Sequence, residues 1–339
     1  MSPDGRTLEI RSSPHVLAGY DVGVIMNNVV LALLPTVAFA VAAFGLAALV
    51  TIVGAVLSCL ATEWAACRLA GREPTLADGS VLITGLLYGL TLPPACPLWI
   101  VLLGGVVGVG LGKSIFGGLG RNPFNPALVG RAFLQAAFPV AMTTFGPAFS
   151  AGRFESLPVS TLTLPFARPT FDAWSGATPL SAWKFGGRLA GADDLAFGLV
   201  GGSTGETCAL LIAAGGVYLI ARNMMSWRIP AAMLGTVGLG SALLHALSPG
   251  TCPPAVFMLL SGGLMLGATF MATDMVGSPM THAGCWLYGA LIGALVLVIR
   301  VWGAMPEGVM YAILLGNAAA PLIDRGIQPR VFGSARSQS

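Results

Sequence analysis

The sequence predicts an all-α polytopic membrane protein with about ten transmembrane helices, arranged as five, a long polar loop, and five more. Composition supports this first: the 339 residues are 55% hydrophobic and 9% charged, against about 25% charged residues in soluble domains. No soluble core of this size absorbs so much apolar surface. Second, the apolar residues fall in runs of spanning length. Third, the net charge of +3 is unevenly placed, with basic residues gathered between particular runs.

The runs follow in order. Ile25–Ala47 and Ala48–Leu69 are full-length spans, whereas Ser80–Leu92 and Pro97–Gly112 are short and joined by Leu92-Pro93-Pro94. Ala127–Phe145 closes the first half. Beyond the loop come Thr207–Ala221, Ile229–Leu247, Pro254–Ala272, Gly284–Val301 and Pro306–Ala320. Short segments broken by Gly and Pro on both sides suggest inverted repeats with a site near the midplane. A plain ten-helix bundle with turns fits the same runs.

Placing both termini in the cytoplasm puts Arg6, Arg11, Arg68, Arg72, Lys113, Arg121, Arg222, Arg228, Arg325, Arg330 and Arg336 on one side. Only Arg300 and four loop residues (Arg153, Arg168, Lys184 and Arg188) fall outside, and long loops follow the rule weakly. Residues 1–20 are polar and carry no secretory signal pattern. The expected division is a cytoplasmic segment 1–24, a first half 25–145, an extracytoplasmic loop 146–206, a second half 207–320 and a cytoplasmic tail 321–339.

Metal chemistry within this chain is disfavoured. Cys59, Cys67, Cys96, Cys208, Cys252 and Cys285 form no CxxC pair and mostly sit in apolar runs, as small buried hydrophobes do. Cys96 and Cys252 both fall near the outer face, where a disulfide is the alternative. There is no dinucleotide fingerprint and no pattern suited to nucleic acid.

Three motifs carry chemistry. Gly117-Gly118-Leu119-Gly120-Arg121-Asn122-Pro123-Phe124-Asn125-Pro126-Ala127 interrupts helix and frees backbone donors and acceptors. Such backbone survives at membrane depth where it is buried in protein or lines a polar cavity, so Asn122 and Asn125 are candidates for an ion or cofactor path; a tight turn is the alternative. Asn125-Pro126-Ala127 invites comparison with water channels, but no second copy exists in the other half. Asp274, in Ala272-Thr273-Asp274 before Ser278-Pro279 and His282, reads as a turn residue or a cofactor contact.

Of the few ionisable groups in the spans, Glu63, Glu206 and His245 lie toward span ends, where snorkelling is common. Arg131, one turn past the Asn-Pro break, is less easily set aside. The third motif is Asp172-Ala173-Trp174-Ser175-Gly176-Ala177-Thr178-Pro179, in a loop that also holds Phe166, Phe171 and Trp183. It presents a hydroxyl, Thr178, among small residues.

These motifs together resemble the family of the D subunit of the Rnf ion-translocating oxidoreductase complex, itself related to the B subunit of the sodium-pumping NADH:quinone reductase. The match takes in Ser12-Ser13-Pro14-His15, Ala32-Leu33-Leu34-Pro35, Asp78-Gly79-Ser80, Leu92-Pro93-Pro94, Gly112-Lys113, the Gly117–Ala127 run, Ala272-Thr273-Asp274 and Ser278-Pro279. Asp172 through Thr178 fits the family's flavinylation signature, Asp-x-x-Ser-Gly-Ala-Thr. Asn27-Asn28 departs from the usual, less polar pair.

The resemblance implies two inverted five-helix halves, similar to urea transporters. It also implies FMN joined through its phosphate to Thr178, with Gly176 and Ala177 giving access and Ser175 and Asp172 orienting. A dedicated flavin transferase would install the group from FAD. A second, non-covalent flavin (riboflavin) is a further expectation, as are partner subunits of the Rnf complex, one of them an FMN-carrying protein on the outer face. The expected localisation is the bacterial inner membrane, in contact with lipid. Electrons would pass through FMN while sodium or protons cross the membrane. The competing expectation is a solute channel or transporter without a redox role.

Overall fold

The computed structural model describes residues 21–72, 76–165, 167, 176–206 and 208–328. They are largely helical and contain no strand, only an isolated bridge between Phe145 and Gly176. Each expected run finds a helix or a broken helix. The first half holds α1 (Val22–Phe44), α2 (Leu46–Leu69), α3 (Ser80–Thr91), α4 (Leu98–Val109) and α5 (Pro126–Ala137), with a short α6 (Pro139–Thr143). The loop carries α7 (Pro179–Gly186) and α8 (Ala192–Phe197). The second half holds α9 (Ala209–Ala221), α10 (Arg228–Leu247), α11 (Ala255–Leu260), α12 (Leu264–Leu266), α13 (His282–Trp302) and α14 (Val309–Gly326).

Among the described residues α1, α2, α10 and α13 are long and apolar enough to cross a membrane, and shorter apolar helices accompany them. The chain is a multi-pass, all-α membrane protein.

Two expected spans are broken, for local reasons. The run Ala127–Phe145 ends its helix at Ala137 because Pro139 disfavours helical backbone at Phe138, which lies at φ −133°. The run Pro254–Ala272 opens at Ser261-Gly262-Gly263, where Gly262 takes φ +63°. Two π-helical turns, Gly110–Ser114 after α4 and Gly267–Met271 after α12, widen the backbone.

Packing repeats between the halves. In the first, α2 packs on α3 and α4, and α4 on α5; in the second, α10 packs on α11 and α13, and α13 on α14. Small residues allow close approach, as in other membrane helices. A side chain on Gly130 of α5 would strike the carbonyl of Gly104 at 2.6 Å, and one on Gly293 of α13 would strike that of Met233 at 2.7 Å. The halves meet through α1 against α9 and α5 against α14. Asn28, the departure noted above, is buried at the first of these seams. It accepts a 2.6 Å bond from Tyr218 of α9 and donates to the Val24 carbonyl.

The hairpin between α1 and α2 turns on Gly45 at φ +70°, where any Cβ would run into the Arg153 carbonyl. Leu46 donates its N–H to that carbonyl, and the Arg153 side chain returns a bond to Ala42, so the long loop is fastened to the first hairpin. All six cysteines are free; Cys96 and Cys252 are buried and unpaired, so the disulfide alternative fails.

Candidate functional site

Thr178 is no exposed loop hydroxyl. It is the N-cap of α7, only 3% exposed, and accepts from the Ser181 N–H at 3.3 Å. The two hydroxyls lie 2.9 Å apart, and Ser181 Oγ also donates to the Thr178 carbonyl at 2.9 Å. Proline at the first helical position suits such a start, because its missing N–H needs no partner. Gly176 and Ala177 are exposed just before it, with the Gly176 N–H held 2.7 Å from the Phe145 carbonyl. Asp172, Trp174, Ser175, Phe166 and Phe171 lie outside the described residues.

Thr178 and Ser181 line a cavity of about 430 Å³ together with Phe145, Phe185, Met142 and Met305, and with the charged residues Arg131, Glu206 and Glu307. Arg131 ties three segments together. Its Nη1 donates to Glu206 Oε1 at 2.5 Å and its Nη2 to Glu307 Oε2 at 3.1 Å. Glu206 therefore does not snorkel; it turns inward against Gly263, where a side chain would lie 2.5 Å from its Oε1. Arg300, read from the sequence as an outer-face exception, is wholly buried and binds the carbonyls of Met258 and Ser261 at 2.6 and 2.9 Å. It thereby satisfies carbonyls left open at the end of α11.

Lys184, on α7, donates to the carbonyls of Arg300, Gly303 and Met305, which pins the Thr178 helix to the connection bearing Glu307. Desolvation there lowers the pKa of its ammonium from the ordinary lysine value. Trp183, on the same helix, packs against the core rather than lining the cavity.

Asn122, Asn125 and Asp274 do not join this site. They line a second cavity, with Ser80, Thr84, Lys113, Met224, Met225 and Phe270. Helix α3 shows that the cavities lie at opposite ends: Ser80 belongs to one and Thr91 to the other, about 17 Å apart at about 1.5 Å per residue. No lining residue is shared. Asn125 caps α5 through the Ala127 N–H at 3.0 Å and donates to Met271 at 3.4 Å, so the glycine-rich run is both a turn and a cavity wall. Asn122 donates to the Phe124 carbonyl, while its buried Oδ1 has no hydrogen-bond partner. Asp274 is the turn residue expected, accepting from Val276 N–H at 3.2 Å; burial raises the pKa of its carboxyl above the usual range. His282 is exposed at the start of α13.

Glu63 is the clearest departure from expectation. It is 3% exposed and bound by Lys113 at 2.7 Å, with Lys113 also donating to Ser80 Oγ. His245 sits near its helix end as expected, its Nδ1 2.7 Å from the Cys252 carbonyl. Sequence reasoning passed over Glu307, although an acidic residue between Pro306 and Gly308, beside an apolar run, was a readable signal.

The NQR2, RnfD, RnfE family model matches residues 9–333. The chain is 39% identical to the D subunit of the proton-translocating ferredoxin:NAD(+) oxidoreductase complex of Clostridium ljungdahlii, with 96% of each chain covered. It is 43% identical to the D subunit of the ion-translocating oxidoreductase complex of Stutzerimonas stutzeri, over 91% of each. It is 40% identical to the D subunit of the Na(+)-translocating ferredoxin:NAD(+) oxidoreductase complex of Acetobacterium woodii, over 96% of this chain and 95% of that one. A match across nearly the whole length, at this identity, places the chain in the NQR2, RnfD, RnfE family.

Proposed function

We propose that this chain is the D subunit of an Rnf-type, redox-driven ion translocase in the bacterial inner membrane, and that it carries electrons on FMN esterified to Thr178. The observation that carries the reading is the placement of Thr178. The last residue of the expected signature is a helix N-cap whose side chain lines a cavity of about 430 Å³. Pockets for ligands of this size run from about 300 to 1,000 Å³.

The residues fit the group. A phosphoester on Thr178 meets the positive end of α7, where the Ser181 N–H already points at the hydroxyl oxygen. Phe145, Phe185, Met142 and Met305 offer apolar surface to a flavin ring. Glu206 and Glu307 oppose a phosphate, and Arg131 between them offsets that. Bound there, FMN supplies one- and two-electron transfer. The protein's part is to shield it and keep it at the outer face, near an FMN-carrying partner subunit.

Because Thr178 is buried, a flavin transferase reaches its hydroxyl from the cavity, or while the Gly176–Thr178 segment is released from Phe145. A second, non-covalent flavin would take the opposite cavity, where Asn122, Asn125 and Asp274 offer hydrogen bonds. That cavity measures about 100 Å³, so Met224 and Met225 have to move to admit a ring system. Relatives of similar identity carry either proton or sodium in their names, so the coupled ion is a separate measurement. The channel alternative requires the two cavities to join, and they share no wall residue.

Co-expression with flavin transferase, followed by in-gel ultraviolet fluorescence and intact mass, tests the reading. One added FMN is expected on the wild type and none on Thr178→Val. A fluorescent Thr178→Val band would defeat it.

A further inference from the structure

Three charged groups line the Thr178 cavity, Arg131, Glu206 and Glu307, with the buried Arg300 close behind them. Glu206 and Glu307 share the guanidinium of Arg131, at 2.5 and 3.1 Å. The guanidinium of Arg300 is committed to the Met258 and Ser261 carbonyls and bonds neither carboxylate. Two arginines and two glutamates leave the set formally neutral. Around it, Arg131 Nε, Glu206 Oε2 and Arg300 Nε, together with the hydroxyls of Ser203 and Ser261, are buried with no hydrogen-bond partner. Each buried polar group left open in this way calls for an explanation, of which water, an ion or a redox role are the usual ones.

A neutral, buried cluster cannot accept an added negative charge cheaply, because an uncompensated charge away from water is strongly disfavoured. We propose that Glu307 is a proton-accepting residue coupled to the redox group on Thr178. It takes a proton from the outer aqueous phase when the cavity gains an electron, and releases it when the electron leaves. This rests on the covalent-flavin reading above.

The step balances simply. The electron comes from a low-potential donor of the ferredoxin class, or from dithionite in vitro. The proton comes from hydronium in the outer aqueous phase: one of its O–H bonds breaks, leaving water, as an O–H bond forms on the Glu307 carboxylate, and Arg131 stays paired with Glu206.

Geometry selects Glu307 over Glu206. Its bond to Arg131 is longer, and its side chain is 18% exposed against 5%. It also sits in an irregular connection, between α13 and α14. The groups facing it are Arg131 from α5, Glu206 from the connection before α9, Arg300 from α13 and the Thr178 and Ser181 hydroxyls from α7. Tyr311 from α14 lies within electrostatic reach of Arg131, and the Lys184 ammonium holds the Met305 carbonyl two residues away.

The test uses the intact complex, with FMN occupancy on Thr178 established first by mass. Infrared difference spectra are then recorded as the flavin is reduced electrochemically. The wild type should gain a carbonyl band from a newly protonated carboxyl. That band should vanish in Glu307→Gln and return, displaced, in Glu307→Asp. The flavin midpoint potential should also fall less steeply with pH in Glu307→Gln. Absence of the band from flavin-loaded wild type would overturn the proposal, as would its persistence in flavin-loaded Glu307→Gln. Failure to find FMN on the wild type would defeat the covalent-flavin reading itself, and this one with it.

Discussion

At the scale of single residues, chemistry was legible where it was local and hidden where it depended on a distant partner. The hydroxyl of Thr178 stands out within its own motif. Its burial as a helix cap does not, because that depends on Phe145 and Ser181 closing around it. Glu63 and Lys113 each look like an interfacial charge alone, yet they form one buried pair. Breaking such a pair leaves a lone charge in an apolar setting, so Lys113→Met should cost about 3–5 kcal/mol, read as a lower unfolding temperature in detergent. The double change to Lys113→Met with Glu63→Leu should recover most of that loss.

Asp274 behaves differently because burial raises the pKa of its carboxyl. Its contribution to stability is present below its unfolded pKa of about 3.9 and is lost as pH rises through the elevated folded value. Asp274→Asn keeps an oxygen for the Val276 N–H. It should therefore be as stable as wild type or more so at pH 8, with the difference shrinking on acidification in a thermal-shift series.

At the scale of elements, hydrophobic runs located the helices within a few residues but did not show which were continuous. Pro139 and Ser261-Gly262-Gly263 each end a helix inside an expected span, and in both cases the breaking residues were visible. What the sequence could not weigh was length, since a run of apolar residues reads alike whether it crosses once or folds back. Packing between elements was legible only as an abundance of glycine. Gly130 is where that abundance has a sharp consequence. A valine there would press on the Gly104 backbone, and overpacking of this kind costs about 1–3 kcal/mol. Gly130→Val should lower the yield of monodisperse protein in detergent, whereas Gly186→Val, at a site with open space, should leave it unchanged.

At the scale of the whole molecule, the multi-pass, all-α class follows from composition and apolar runs alone. The two opposed cavities do not. The candidate path residues were grouped from the sequence as one set, and only the fold sends Arg131 to one end and Asn122, Asn125 and Asp274 to the other. Orientation can be measured with the protein's own thiols. Cys67 is half-buried near the Arg68–Arg72 side, whereas the other five cysteines are buried. A membrane-impermeant maleimide should label Cys67 in inside-out vesicles and spare it in right-side-out ones. The reverse pattern would turn the topology over.

One fastening reaches further than its size suggests. The ammonium of Lys184 grips three carbonyls at the end of α13 and in the turn that follows. Helix α7 and that turn are thus a single lever with one peg. Whatever rides on α7 cannot be tugged by a visiting protein without shifting the root of α14.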